Sequence, residues 1–249
     1  NDHLDWHGNM RNYINSKFKI FELQKKNQYS FINKNFQNTF INRKLPGKLI
    51  IPRMKDYNKI KNKINNDYIK SNINNENMSN VIALAKILKI KEKSLIGSLN
   101  SFKGLPHRYE VFFKKKNVVF INDSKATSFE ATKSALQNTK NIYWILGGLP
   151  KKNDKISLKN FRKNIVKAYV IGNSVNFFKK QISNKIDFSI AKNLKNSIIQ
   201  ILKDINLFHR KNNYVLLSPA AASYDQFLNF EKRGEEFKKL IRHYAQKYI

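Results

Sequence analysis

Val118-Val119-Phe120-Ile121-Asn122-Asp123-Ser124-Lys125-Ala126-Thr127 changes character half-way along. Its first four residues are β-branched or aromatic and wholly apolar, as a buried strand requires. Asn122 to Lys125 then stop the apolar run, and Ser128 to Leu136 carries a helical pattern. The stretch reads as strand, loop, helix. In an open α/β sheet ligands bind at the loops that leave the carboxyl ends of strands, so Asp123, Lys125 and Thr127 are candidates for holding a phosphorylated or anionic ligand. Thr127-x-x-Glu130 equally fits a capping box, and Asp and Ser are ordinary turn residues.

Downstream the alternation is regular. Strands are predicted near residues 109–113, 118–121, 142–146, 168–171, 187–190 and 214–217, most of them separated by helical segments. That is the pattern of an α/β fold with a doubly wound, mostly parallel sheet. Two more strands end in polar punctuation. The first runs into Gly147-Gly148, where missing side chains let backbone approach a ligand, and then into Lys151 and Lys152. The second runs into Ser218-Pro219-Ala220-Ala221-Ala222-Ser223. Ser223-x-x-Gln226 is expected to cap a long last helix whose buried stripe is Phe230, Phe237, Ile241, Tyr244 and Tyr248. Three loops on one sheet edge predict a shared site.

Upstream, Lys103-Gly104-Leu105-Pro106 punctuates the chain and marks a domain boundary. Before it, residues 91–102 read as one helix and 77–90 as another, with Val81, Leu84, Ala85 and Leu88 inward. Asn77 and Asn80 share a face at the start of that helix, either as caps or as a base-reading pair. Residues 29–33 and 48–51 read as short strands, and the Asn/Lys-rich interval 52–75 is expected to hold small strands and variable loops. Met10, Tyr13, Ile14, Phe18 and Phe21 recur at helical spacing, and Lys17 falls on the same stripe. Either Lys17 snorkels, or it is desolvated and its neutral amine acts as a nucleophile or takes up carbon dioxide to give a carbamate, an oxygen ligand for Mg²⁺. In the opening loop, His3 and Asp5 are metal ligands by type, or simply solvated.

Composition sets the frame. At 249 residues and 41% hydrophobic content the chain can build one large or two ordinary cores. Cysteine is absent, which removes disulfides, thiolate metal sites and thiol nucleophiles and fits a reducing compartment. No apolar run approaches the roughly 20 residues a bilayer demands, and no charged-then-apolar leader opens the chain, so a soluble protein is expected. The first residue is Asn1, in what reads as an active-site loop, so a piece of a longer protein is expected. The formal charge of +31 suggests a polyanionic partner. Its lysines, however, are spread evenly among Asn and Ile, with no basic arm, zinc-finger spacing or aromatic RNA-binding signature. No nucleic-acid partner and no membrane partner are expected.

Gly104-Leu105-Pro106-His107-Arg108, the run Asn122 to Thr127, Gly147-Gly148 with Lys151, Ser218 to Phe227, and Phe230-Glu231-Lys232-Arg233-Gly234 together closely resemble the Mur ligases. Within that family they match the members that add D-glutamate to UDP-N-acetylmuramoyl-L-alanine. The resemblance runs from Asp2-His3-Leu4-Asp5 to the last helix. It implies a rear part of a central ATPase domain over residues 1–104 and a Rossmann-like amino-acid-binding domain over 105–249. It also implies a cytoplasmic, monomeric enzyme of peptidoglycan precursor synthesis that uses ATP and Mg²⁺.

By the same resemblance His3 is a Mg²⁺ ligand, and Lys17 is the lysine that becomes the carbamate. Asn77 and Asn80 contact adenine, and Arg108 and Asp123 hold phosphates and ribose. Lys125 lies near the transferred phosphate, while Thr127, Lys151, Ser223, Tyr224 and Phe230 line the D-glutamate pocket. No G-x-x-x-x-G-K-[ST] phosphate loop occurs in the 249 residues. Leu149-Pro150 stands where the family often has Asp-Gly, which leaves open whether Lys151 or Lys152 faces the substrate, and Ala221 stands where cysteine is common. The competing readings are another amino-acid ligase of this type, folylpolyglutamate synthetases included, and a basic nucleic-acid-binding protein.

Overall fold

A computed structural model describes residues 4–208 and 210–249. The chain divides into two compact units, Asn1–Gly104 and Leu105–Ile249.

The first unit contains α1 (Leu4–His7), α2 (Met10–Glu22), β1 (Tyr29–Phe31), α3 (Gln37–Asn42), β2 (Lys48–Ile50), α4 (Met54–Lys61), α5 (Asp67–Lys70), α6 (Asn75–Ile87) and α7 (Glu92–Ser101). β1 and β2 pair in parallel, with Ser30 opposite Leu49. Helix α2 starts where the Asn9 side chain accepts from the Asn12 amide, and it buries Phe18 against Ile32 and Phe40. Lys17, one position off that buried line, is exposed, with its Nζ 5.4 Å from the centre of the Tyr13 ring. Within the described structure it snorkels over an aromatic face.

Two expectations are corrected here. The interval 52–75 is helical, not stranded, because Tyr57, Ile60 and Ile64 recur at helical spacing among the Asn and Lys residues and, with Ile69, bury themselves completely or nearly so. Helix α6 turns Val81 and Ala85 inward as expected, but with Met78 and Ile82, which pack onto the cluster of Tyr57, Ile60, Ile64 and Ile69, while Leu84 (45%) and the C-cap residue Leu88 (60%) are exposed. Its apolar residues run unbroken from Val81 to Ala85, so either face can be buried, and packing against α4 selects the one led by Met78.

The second unit contains β3 (Glu110–Lys115), β4 (Val118–Asn122), α8 (Phe129–Asn138), β5 (Ile142–Gly147), β6 (Ile165–Ile171), α9 (Val175–Ile182), β7 (Phe188–Lys192), α10 (Leu194–Phe208), β8 (Asn213–Leu217) and α11 (Phe230–Tyr248). Its six strands are ordered β3-β4-β8-β5-β6-β7; every pair is parallel except β3 with β4. Alternate residues feed two cores. Ile121, Trp144, Leu146 and Leu216 pack with Phe129 and Leu136 of α8 and Phe178 and Ile182 of α9. Val118, Phe120, Tyr143, Ile145 and Val215 pack with Ile198 and Ile201 of α10 and Phe237 and Ile241 of α11. Both faces are covered, as a parallel sheet demands. The result is a Rossmann-like α/β domain with β4, β8 and β5 side by side, so their carboxyl ends open on one stretch of sheet edge.

Ile64→Ala should destabilise the first unit by about 2–4 kcal/mol in urea unfolding. Leu88→Ala should stay within about 0.5 kcal/mol of the parent. Comparable losses from both would mean that α6 buries its other face.

Candidate active site

The site is built from the three adjacent strand ends. The Asp123 amide donates to the Leu217 carbonyl (2.8 Å), which carries the β4–β8 ladder one residue past the strand and sets Asp123 beside Ser218. Asp123 Oδ2 accepts from the Ser218 hydroxyl (2.7 Å), and Oδ1 accepts from the Tyr109 amide (3.1 Å). Ser218 is held in turn: its carbonyl accepts from Trp144 Nε1 (2.8 Å), and its hydroxyl lies 3.0 Å from Thr132 Oγ1. Burial pushes the Asp123 carboxyl up to about 7, against the opposing pull of Ser218, the Tyr109 N–H and the Arg108 charge. Arg108 itself is exposed, between His107 and Tyr109, which both have positive φ.

Lys125 stands on the same turn. Its amide donates to the His107 carbonyl (3.1 Å), and its exposed ammonium lies 4.5 Å from the centre of the Phe230 ring. Phe230 is half-buried and meets the His107 ring edge-on. Two capping expectations are corrected. Ser128, not Thr127, caps α8, because Ser128 takes the extended conformation and its oxygen accepts from the Ala131 amide. Ser223 caps no helix: its carbonyl closes a turn onto the Gln226 and Phe227 amides, and α11 begins only at Phe230, capped by Asn229. Thr127 and Ser223 therefore keep their hydroxyls out of cap bonds. Ser223 is buried and Tyr224 is 70% exposed.

Close backbone approach joins the second and third loops. Leu149 and Ala222 exchange both amide–carbonyl bonds at 2.9 Å, and a Cβ on Gly148 (φ +131) would come within 2.2 Å of the Ala222 carbonyl. Only glycine fits there. Asp154 ties the Lys151 loop to the start of α8 by accepting from the Phe129 amide (2.8 Å). Lys151 is half-buried, and burial lowers its pKa against the partial restoring charge of Asp154; Lys152 is exposed. Of the two lysines, Lys151 is the one set into the structure.

Lys125 and Phe230 are thus in direct contact, and Asp123 lies on the same turn as Lys125. Thr127, Lys151 and Ser223 lie on loops joined to that edge by the Leu149–Ala222 and Asp154–Phe129 bonds. Arg108 and Tyr224, both exposed, also belong to the second unit, and the remaining predicted residues belong to the first. Asn80 donates to the Glu76 carbonyl (3.0 Å) and lines a recess of about 320 Å³ with Asn33, Pro52 and Met54. Asn77 is exposed and donates to Asn74 Oδ1 at 3.5 Å. His3 lies outside the described residues, and Lys17 is exposed. Sequence reasoning assigned no role to Ser218, Asn122, His107 or Arg233, which the structure puts beneath these loops. A signal existed for Arg233, which is in register with the apolar stripe of Phe230, Phe237 and Ile241.

Residues 1–101 match the Mur ligase middle domain. The chain is 32% identical to the UDP-N-acetylmuramoylalanine--D-glutamate ligase of Rickettsia felis, covering 98% of this chain and 59% of that protein. It is 35% identical to the ligase of the same name from a Wolbachia of Brugia malayi, over 96% of this chain and 51% of that protein. The chain is similar to Mur ligases along almost its whole length. It spans between half and three-fifths of the length of these curated relatives. Among solved structures, the MurF ligase of Thermotoga maritima, in complex with ADP, has the same fold, with a TM-score of 0.60 at 14% identity over 100% of this chain and 61% of that one. No helix of the described residues is long and apolar enough to cross a membrane.

A carboxyl titrating near 7 in the folded chain keeps a proton that the unfolded chain loses near 3.8. Folding stability should therefore fall as pH rises from about 4 to about 7 and level off above. Asp123→Asn should remove this component, so its melting temperature relative to the parent should rise across that window in calorimetry. A difference independent of pH would show that Asp123 titrates as an ordinary carboxyl.

Proposed function

We propose that this chain carries amino-acid- and nucleotide-contacting parts of an ATP-dependent ligase that joins D-glutamate to UDP-N-acetylmuramoyl-L-alanine in peptidoglycan precursor synthesis, as a cytoplasmic monomer. The observation that carries the reading is the convergence of Asp123, Ser218, Lys125 and the Gly148-supported Lys151 loop on the carboxyl ends of three neighbouring parallel strands. The resemblance implies two steps: a carboxylate attacks the γ-phosphate of ATP to give an acyl phosphate, and the amine of D-glutamate then displaces phosphate. Negative charge builds in both, so fixed cations accelerate the chemistry without a covalent enzyme intermediate.

In this reading Lys125, steadied over the Phe230 ring, faces the transferred phosphate. Lys151, which burial has already partly desolvated, pairs with a carboxylate of D-glutamate. The free hydroxyls of Thr127 and Ser223, with Tyr224 and Phe230 flanking, complete the amino-acid pocket. Arg108 and Asp123 serve phosphates and ribose, and Asn77 and Asn80 serve adenine from the recess that Asn80 lines. Mg²⁺ fares differently. His3 is outside the described residues, an unmodified Lys17 has no side-chain oxygen to offer a cation, and among the described residues no three His, Asp or Glu side chains converge. The described residues do not form a Mg²⁺ site by themselves.

The test is a titration of the isotope-labelled 249-residue chain followed by NMR. D-Glutamate should shift the amides of Thr127, Lys151 and Ser223, with L-glutamate and meso-diaminopimelate giving at most about a tenth of the response. A response confined to other residues, or equal for all three amino acids, would overturn the assignment. Assayed alone with ATP, D-glutamate and UDP-N-acetylmuramoyl-L-alanine, the chain should form no product, since its sequence contains no phosphate loop to grip ATP. Turnover at about 1 per second, ordinary for an enzyme, would refute that.

A further inference from the structure

Arg233, in the first turn of α11, is 1% exposed, yet among the described residues no carboxylate forms an ion pair with it. Its Nε donates to the Ser124 hydroxyl (3.0 Å), and a single Nη2 donates to two carbonyls, Ser124 (2.8 Å) and Ala221 (3.0 Å). Nη1 is buried without a partner. A guanidinium sunk among neutral acceptors carries a large desolvation cost that an apolar side chain of the same length would avoid, although that side chain would leave those acceptors unpaired. What the apolar chain lacks is the planar fork, which here spans two loops far apart in sequence.

Those loops are the two that matter. Ser124 lies between Asp123 and Lys125, and Ala221 lies two residues before Ser223. The same helical turn holds the first loop at other points as well. The Phe230 carbonyl accepts from the Ser124 hydroxyl (2.8 Å), and the Gly234 carbonyl lies 3.4 Å from Asn122 Nδ2. Gly234 also makes room for the His107 ring, since a Cβ there would come within 2.2 Å of His107 Nδ1. His107 supplies the carbonyl that fixes the Lys125 amide.

We propose that Arg233 is a positioning residue whose guanidinium, by bridging the Ser124 and Ala221 carbonyls, fixes the separation between the Lys125 ammonium and the Ser223 hydroxyl. The ligand spanning that separation would carry a phosphoryl group at one end and a carboxylate at the other; this part rests on the ligase reading above, whereas the bridge does not.

Arg233→Lys keeps the charge without the fork, and Arg233→Met keeps only the length. In both variants of the 249-residue chain, amide hydrogen exchange at Lys125 and Ala222 should accelerate about tenfold or more, while Val170 in the middle of β6 stays within about twofold of the parent. In Arg233→Ala, millimolar methylguanidinium should restore protection at Lys125 and Ala222 together, and methylammonium should not. Unchanged exchange at both loop amides would overturn the proposal. So would equal acceleration at Val170, which would make Arg233 a general core residue, and so would rescue by methylammonium. If the loop amides respond as stated while the parent chain ignores D-glutamate, the ligase reading fails and the bridge stands.

Discussion

The hydrogen bond from the Asp123 amide to the Leu217 carbonyl is the contact on which the candidate site depends. It extends the β4–β8 ladder beyond the last paired strand residues, Asn122 and Leu217, and so fixes which residue of one loop lies against which residue of the other. Apolar pattern alone does not enforce this register. β4 is buried on both faces, and a one-residue slip would exchange one apolar face for another. The extra bond and the carboxylate–hydroxyl pair of Asp123 with Ser218 supply the missing discrimination. A slip would take the Asp123 carboxyl away from the Ser218 hydroxyl, and a buried polar group left without its partner is costly.

The electrostatics of the edge follow from that geometry. Asp123 titrates near neutrality and so carries only part of a negative charge, while Lys125, Lys151 and the buried Arg233 surround the same loops. Arg233 is pulled down only to about 10 by burial and stays charged at neutral pH. Asp154 acts against Lys151 and Asp225 against Arg233, and part of this charge lies inside the protein, where screening by salt is weak. The surface lysines behind the formal charge of +31 act at longer range and mainly raise the rate at which anions arrive.

Much of the second unit was readable because its strands are short apolar runs punctuated by Gly, Pro, Asn and Ser, and parallel strands buried on both faces leave a simple trace. The first unit was harder. In the interval 52–75, Tyr57, Ile60 and Ile64 are isolated among Asn and Lys, so the helical period has few residues to reveal it. In α6 the trace is too rich: apolar residues on two faces leave the choice to a neighbour that sequence does not name. The capping errors share a cause. Thr127 and Ser223 stand three residues before Glu130 and Gln226 as a capping box asks, but the chain takes the extended cap conformation at Ser128 and Asn229, where tertiary contacts set the loop paths.

Lys17 and Arg233 show what a cation on an apolar stripe can and cannot disclose. Both interrupt a helical pattern of aromatic and aliphatic residues, and by sequence they are equivalent anomalies. Lys17 has the Tyr13 ring one turn away and open solvent beyond, so the flexible stem carries its ammonium outward. Arg233 goes inward because acceptors come to meet it from loops 109 and 12 residues distant, and a planar fork can use several at once where an ammonium on a four-carbon stem cannot hold the same arrangement. The anomaly in the pattern says where to look. Whether the charge is expelled or enclosed depends on carbonyls that the fold delivers, and in this chain they are delivered by the two loops that the guanidinium then holds apart.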